Sequence, residues 1–140
     1  MKIVLDTNCL LPAIFSNSVY HWIWEAFRRK DFTLCYSNDI ITEYEELLSK
    51  LYPPEITNTT MLLLLTSRNV ERIVPFYNWN LISVDPDDNN FVDCALNAGA
   101  EYIVTNDKHF NVLRDISFPK IEVIDIIAFK QIIHNKHKLL

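Results

Sequence analysis

"NNFVDCALNAGAEYIVTND", residues 89–107, carries a helix, its stop and a strand in one unbroken run. Phe91, Ala95 and Ala98 recur at helical spacing, and Gly99 follows where a left-handed residue closes a helix. "EYIVT" is then a short apolar run, as expected of a strand covered on both faces. Asp107 comes two residues past Thr105, just beyond the strand. A helix feeding directly into a buried strand is half of a parallel crossover, so this stretch points to an α/β chain.

The alternation continues outward in both directions. "KIVLD" (residues 2–6), "FTLCY" (32–36) and "KIEVI" (120–124) read as further strands, and "NLISV" (80–84) as a short strand or an extended lead-in. Between them lie helical patterns. "SVYHWIWEAFRRK" spaces Val19, Ile23 and Phe27 on one face, and "SNDIITEYEELLSKL" opens on the capping residues Ser37 to Asp39. The latter carries the apolar stripe Ile40, Ile41, Tyr44, Leu47, Leu48 and Leu51, and Pro53 and Pro54 stop it. "EITNTTMLLLLTS" is expected to be a helix buried on much of its surface, "NDKHFNVL" a short helix and "DIIAFKQIIHNK" the last one. The expected architecture is a three-layer α/β/α domain with a central, mainly parallel sheet over residues 1–140, its ligands bound beyond the carboxyl ends of the strands.

Bulk composition narrows the chemistry. With 49% hydrophobic and 22% charged residues the chain has the balance of a globular domain. Its single glycine rules out a phosphate-binding glycine loop or a dinucleotide fingerprint. Cys9, Cys35 and Cys94 are isolated and odd in number, which suggests a reducing compartment and no zinc cluster. "MKIVLD" enters a strand without a signal peptide, and "MLLLL" is too short to span a bilayer, so a cytoplasmic protein with no membrane partner is expected. A net charge of −5 argues mildly against nucleic acid, and the basic "RRK" (28–30) and C-terminal residues read as solvated helix ends.

The acids qualify that charge argument. "DPDDNNFVD", residues 85–93, holds four aspartates. Asp6 ends the first strand, Asp107 follows the "EYIVT" strand, Asp88 starts a helix entered from the same edge, and Glu43 lies early in the helix after the second strand. All four should meet at one rim of the sheet. Each alone could be an ordinary cap or solvated edge. Together in a partly buried cleft they would repel, and a hard cation, Mg²⁺ or Mn²⁺, would remove the conflict. Asp85 is expected to cap or face solvent. Asp93, about 140° round an ideal helix from Asp88, is expected to be solvated. His109, near the acids in sequence, reads as a surface histidine before a general base or acid, and Trp22, off the apolar face of its helix, is open to stacking a base, meeting a partner or simple partial burial.

"IVLDTN", "YSNDIITEYEELL" and "DPDDNNFVDCALNAGAEYIVTNDKHF", in that order, resemble the PIN domain, in particular its bacterial branch of toxin components related to VapC. The likeness runs from Lys2 to about Val123. It implies a Mg²⁺- or Mn²⁺-dependent ribonuclease whose acidic quartet is Asp6, Glu43, Asp88 and Asp107, supported by Thr7, Asn8, Thr105 and Asn106. It also implies RNA as substrate, a small antitoxin protein as partner and a homodimer, and it leaves a role for Asp93 open. Rival readings are a catalytically weak PIN scaffold that binds RNA or protein, and a Mg²⁺-dependent phosphatase with an aspartate after its first strand. The usual second aspartate of such phosphatases is here Asn8. A phosphoacceptor receiver domain fits the alternation, but "LCYSND" lacks the acceptor aspartate at the strand end.

Overall fold

The computed structural model describes residues 1–138. Five strands form one sheet: β1 (Lys2–Leu5), β2 (Thr33–Tyr36), β3 (Val70–Arg72), β4 (Tyr102–Val104) and β5 (Glu122–Ile124), in the order β3-β2-β1-β4-β5. Every pairing is parallel, with Ile3 opposite Leu34 and Tyr102, Leu34 opposite Val70, and Ile103 opposite Val123. Ile3, Val4 and Leu5 are each at most 1% exposed, so β1 is covered on both faces. That is why its sequence is a continuous apolar run rather than an alternating one. Around the sheet lie α1 (Thr7–Ile14), α2 (His21–Arg28), α3 (Asn38–Leu51), α4 (Pro54–Thr66), α5 (Asn89–Ala98) and α6 (Ile126–Lys138). The result is the three-layer α/β/α arrangement anticipated from the alternation. Among the described residues no helix is long and apolar enough to cross a membrane.

From β1 the chain steps outward through β2 to β3, then returns to the other side of β1 for β4 and β5. The order therefore reverses between β1 and β4. At such a switch point the two flanking connections leave in opposite directions and open a crevice beyond the strand ends. Asp6 and Asp107 follow these two strands.

Several local expectations are met and several are corrected. Ser37 caps α3 through Ile40 N, and Gly99 closes α5 at φ 66°, ψ 35°. "NLISV" is an extended lead-in outside the sheet. The third strand is instead Val70–Arg72, an edge strand too short and too exposed to show an apolar run. α1 was not anticipated, because Pro12 lies inside it. "NDKHFNVL" belongs to a 3-10 segment, Lys108–Asp115. α4 is less buried than its leucines suggest: Leu62 and Leu65 are exposed, while Thr57 and Thr60 face inward. Leu51, assigned to the buried stripe of α3, is exposed. Trp22 is half-buried. Its ring lies 5.6 Å from that of Phe129, with Lys130 Nζ 5.8 Å from its centre.

Two packing features aim the acids. Tyr44 is fully buried in α3 and donates its hydroxyl to the carbonyl of Leu5, tying the end of β1 to the helix that carries Glu43. Phe91 of α5 packs edge-on to Phe110 of the 3-10 segment, their centres 6.4 Å apart. This contact joins the elements that begin at Asp88 and Asp107.

Candidate functional site

Asp6 is the N-cap of α1 and is only 5% exposed. Its backbone N–H continues the β1–β4 pairing by donating to Val104 O at 3.0 Å, which fixes the residue at the switch point. One carboxylate oxygen accepts from Asn8 N at 3.4 Å, the other from the Thr105 hydroxyl at 2.7 Å. The Thr105 oxygen in turn accepts the N–H of Asp107 at 3.0 Å. A hydroxyl has one proton to give and lone pairs to receive, so Thr105 links the ends of β1 and β4 in one direction only. Asp107 caps the 3-10 segment through His109 N at 2.9 Å. Thr7 donates its hydroxyl to Glu43, bringing that carboxylate from α3 to the start of α1. Asn106 accepts from Ile126 N at 3.1 Å and so secures the β5–α6 turn beside the rim. The side chain of Asn8 is exposed; with Asp6, Cys9, Asn106 and Asp107 it lines a cleft of about 300 Å³.

The carboxylates of this rim act on one another electrostatically. Burial raises the pKa of Asp6, and Asp107 adds to the rise against the hydrogen bonds from Thr105 and Asn8. Burial also raises Glu43, followed by repulsion from Asp6, Asp87 and Asp85 against the Thr7 hydrogen bond. Asp88 is pushed up to about 6 by burial, then by Asp85, Asp107 and Asp6. Its Oδ2 is buried and makes no hydrogen bond. A buried carboxylate oxygen without a hydrogen bond carries a desolvation cost that a bound cation or water would offset. His109 Nδ1 lies 3.5 Å from both Asp88 Oδ2 and Asp107 Oδ1, too far for a good hydrogen bond but within ion-pair range. Asp85, Asp88 and His109 each bring a ligating atom within 4.8 Å of the others. His109 is thus half-exposed, as its reading as a surface residue required, yet faces the acids. Asp85 caps Asp87 N at 3.2 Å, as expected. The donor set is dominated by oxygen, partly desolvated and short of positive charge, which suits a hard divalent cation. Cys9 offers no alternative nucleophile, because burial and the Asp6 charge push its thiol up to about 12.

Asp93 is where the sequence reading fails. It is buried rather than solvated, and accepts the N–H of Trp79 at 2.9 Å. Asn89, Asp93 and Asn97 are spaced by four along α5 and therefore share a face. They accept backbone N–H groups from Ile82, Trp79 and Phe76 respectively. Asn89 also donates to Ile82 O at 2.8 Å. This polar row holds the extended residues 73–84 against the helix, and that segment ends in Asp85. The four-residue spacing of Asn89, Asp93 and Asn97 was the available signal. Asn89→Ala leaves both Ile82 backbone groups unpaired in a buried setting, so a loss on the order of 2 kcal/mol is expected in urea denaturation.

A family model described as a PIN domain matches residues 2–109. The chain belongs to the PIN domain family. The solved structure of VapBC2 from Rickettsia felis, bound to a DNA fragment from their promoter, superimposes with a TM-score of 0.63 at 19% identity, covering 89% of this chain and 98% of that one. No curated protein matches the sequence. This PIN chain thus has the family's fold along most of its length, and the resemblance read from its motifs holds at the level of family and architecture.

Proposed function

We propose that this PIN domain chain is a divalent-metal-dependent endoribonuclease and the toxin of a toxin–antitoxin pair. The observation that carries the reading is the buried Oδ2 of Asp88, which accepts no hydrogen bond and lies 3.5 Å from His109 Nδ1, on a carboxylate raised by burial and by the neighbouring acids. Asp6, Glu43, Asp88 and Asp107 are the residues that would hold Mg²⁺ or Mn²⁺. When bound, such a cation lowers the pKa of an attacking water and offsets charge on the attacked phosphate. The protein's part is orientation. Thr105 fixes the rotamer of Asp6, Thr7 fixes Glu43, and the capping bond from His109 N fixes Asp107. Asn8 and Asn106 border the cleft as uncharged groups, able to contact substrate without adding repulsion.

The likeness to a VapBC2 structure supports an antitoxin partner; RNA rather than a small phosphate ester as substrate, and a homodimer, belong to the same proposal. An apolar groove of about 620 Å³ containing Ile14, Phe15, Leu51 and Ile56 offers a surface for such a protein contact. A side-by-side assay separates this reading from a phosphatase and from a pure binding module. Labelled single-stranded RNA and a phosphomonoester are each incubated with the protein and Mn²⁺. Internal cleavage of RNA with no phosphate release from the monoester is expected. Monoester turnover, or RNA binding without cleavage, would favour the other two.

A further inference from the structure

The carboxylate cleft continues into a second groove of about 410 Å³, which shares Asn106 and Asp107 with it. Its walls are the ends of β4 and β5, Tyr20, and the 3-10 segment Lys108–Asp115. Such a segment has three residues per turn, so side chains three apart stand in one row. The sequence is sorted to match. Phe110 and Leu113 form the buried row, at most 1% exposed. Lys108, Asn111 and Arg114 form another, exposed along the groove. Successive members of that row are about 6 Å apart, from a rise of about 2 Å per residue. This is close to the separation of neighbouring phosphates along an extended nucleic-acid strand.

All three side chains donate hydrogen bonds, and two are cationic. Among the described residues neither Lys108 nor Arg114 is in a salt bridge. Two acids line the same groove: Asp107, at its junction with the carboxylate cleft, and Asp125, whose carboxylate caps α6 through Ala128 N at 2.7 Å. In a chain of net charge −5, attraction for an anion has to be local, and this row begins next to Asp107. We propose that Lys108, Asn111 and Arg114 form a track for successive phosphates of single-stranded RNA, leading from the carboxylate cleft over the end of β5. The proposal rests on the ribonuclease reading and adds to it the path of the substrate strand.

The test is the double variant Lys108→Ala with Arg114→Ala, assayed on single-stranded RNA in Mg²⁺ over a range of salt. KM is expected to rise at least about tenfold while kcat stays within about threefold. The slope of log kcat/KM against log salt should flatten by about 1.4, from two lost contacts at about 0.7 each on a single strand. The Mg²⁺-induced rise in melting temperature should be unchanged, since neither residue is among the acids. Lys108→Arg with Arg114→Lys should keep the parental slope. Parental KM and slope in the alanine variant, with cleavage intact, would overturn the track and leave the nuclease reading standing. So would a variant that loses affinity for polyglutamate but not for RNA, which would assign the row to an acidic protein. A parent protein that cleaves no RNA would overturn both readings.

Discussion

Asp6→Asn is expected to remove RNA cleavage, by roughly a thousandfold or more in kcat/KM, and to leave the fold intact. A thousandfold is about 4 kcal/mol of transition-state stabilisation, a reasonable loss for a charged ligand at the centre of a metal site. The fold should survive because the structural duties of Asp6 do not require charge. It caps α1 by accepting from Asn8 N, which asparagine does as well as aspartate, and the amide that replaces its second oxygen can donate to the Thr105 oxygen where the carboxylate accepted from it. The substitution also removes one of several mutually repelling carboxylates. Without metal the variant should therefore melt at or above the parental temperature. With metal the two should part. A ligand at a hundredfold excess over its Kd stabilises the folded state by about 2.7 kcal/mol. For a chain of this size that is about 9 °C in the parent, and much less is expected of the variant. Calorimetry with and without Mg²⁺, run beside a cleavage assay, checks both halves. Loss of activity with a lowered metal-free melting temperature would mean that Asp6 is chiefly structural.

The second large effect is on pH. The carboxyl of Asp88 is raised to about 6 from an ordinary 3.8. Below the ordinary value it is protonated in both folded and unfolded chains, and its favourable contribution is fully present. As pH rises towards 6 the unfolded chain gives up the proton readily and the folded one resists, so stability is lost, and above about 6 the whole loss remains. Asp6 and Glu43 are raised as well and act in the same direction. After solvent screening, the Asp88 share is about 1–2 kcal/mol. Asp31 works the other way. Burial would raise it, but hydrogen bonds from His137 and Arg29 outweigh that and lower it, so its contribution is lost as pH falls. Asp88→Asn isolates the first effect. Between about pH 4 and 7 the metal-free variant should show a shallower fall in stability than the parent, and greater stability at neutral pH. Mg²⁺, which binds the ionised form, should stabilise the parent increasingly as pH rises through about 6. Parallel stability curves for parent and variant would contradict this.

The sheet was legible wherever strands are covered on both faces. β1, β2, β4 and β5 are short apolar runs, and Asp6 directly follows β1 while Asp107 comes three residues after β4, so the rim could be located by position alone. What escaped depended on what lies against a surface. β3 is an edge strand of three residues with no buried member, and has no pattern to read. α1 carries Pro12, a helix breaker by rule, which this helix tolerates. Asp93 was placed in solvent by helical geometry, and that geometry was sound. The misjudgement was of the face, which residues 73–84 cover. Of the roles open to Trp22, partial burial is the one observed, since Phe129 of α6 packs against its ring. His109 could be read as near the acids in sequence, but its contact with both Asp88 and Asp107 depends on how the 3-10 segment turns. Helical periodicity shows which residues share a face, whereas only the tertiary fold shows what that face meets.

The acids of the rim are proposed to hold the divalent cation with which the chain cleaves RNA. The most direct measurement follows cleavage of an end-labelled single-stranded RNA by the purified chain, stripped with chelator and then titrated with Mg²⁺ or Mn²⁺. The account predicts no cleavage in chelator, a saturable return of internal cuts with added metal, and no return in Asp6→Asn at the same concentrations. Cleavage that persists in chelator, or a parent protein that stays inert at saturating metal, would contradict it.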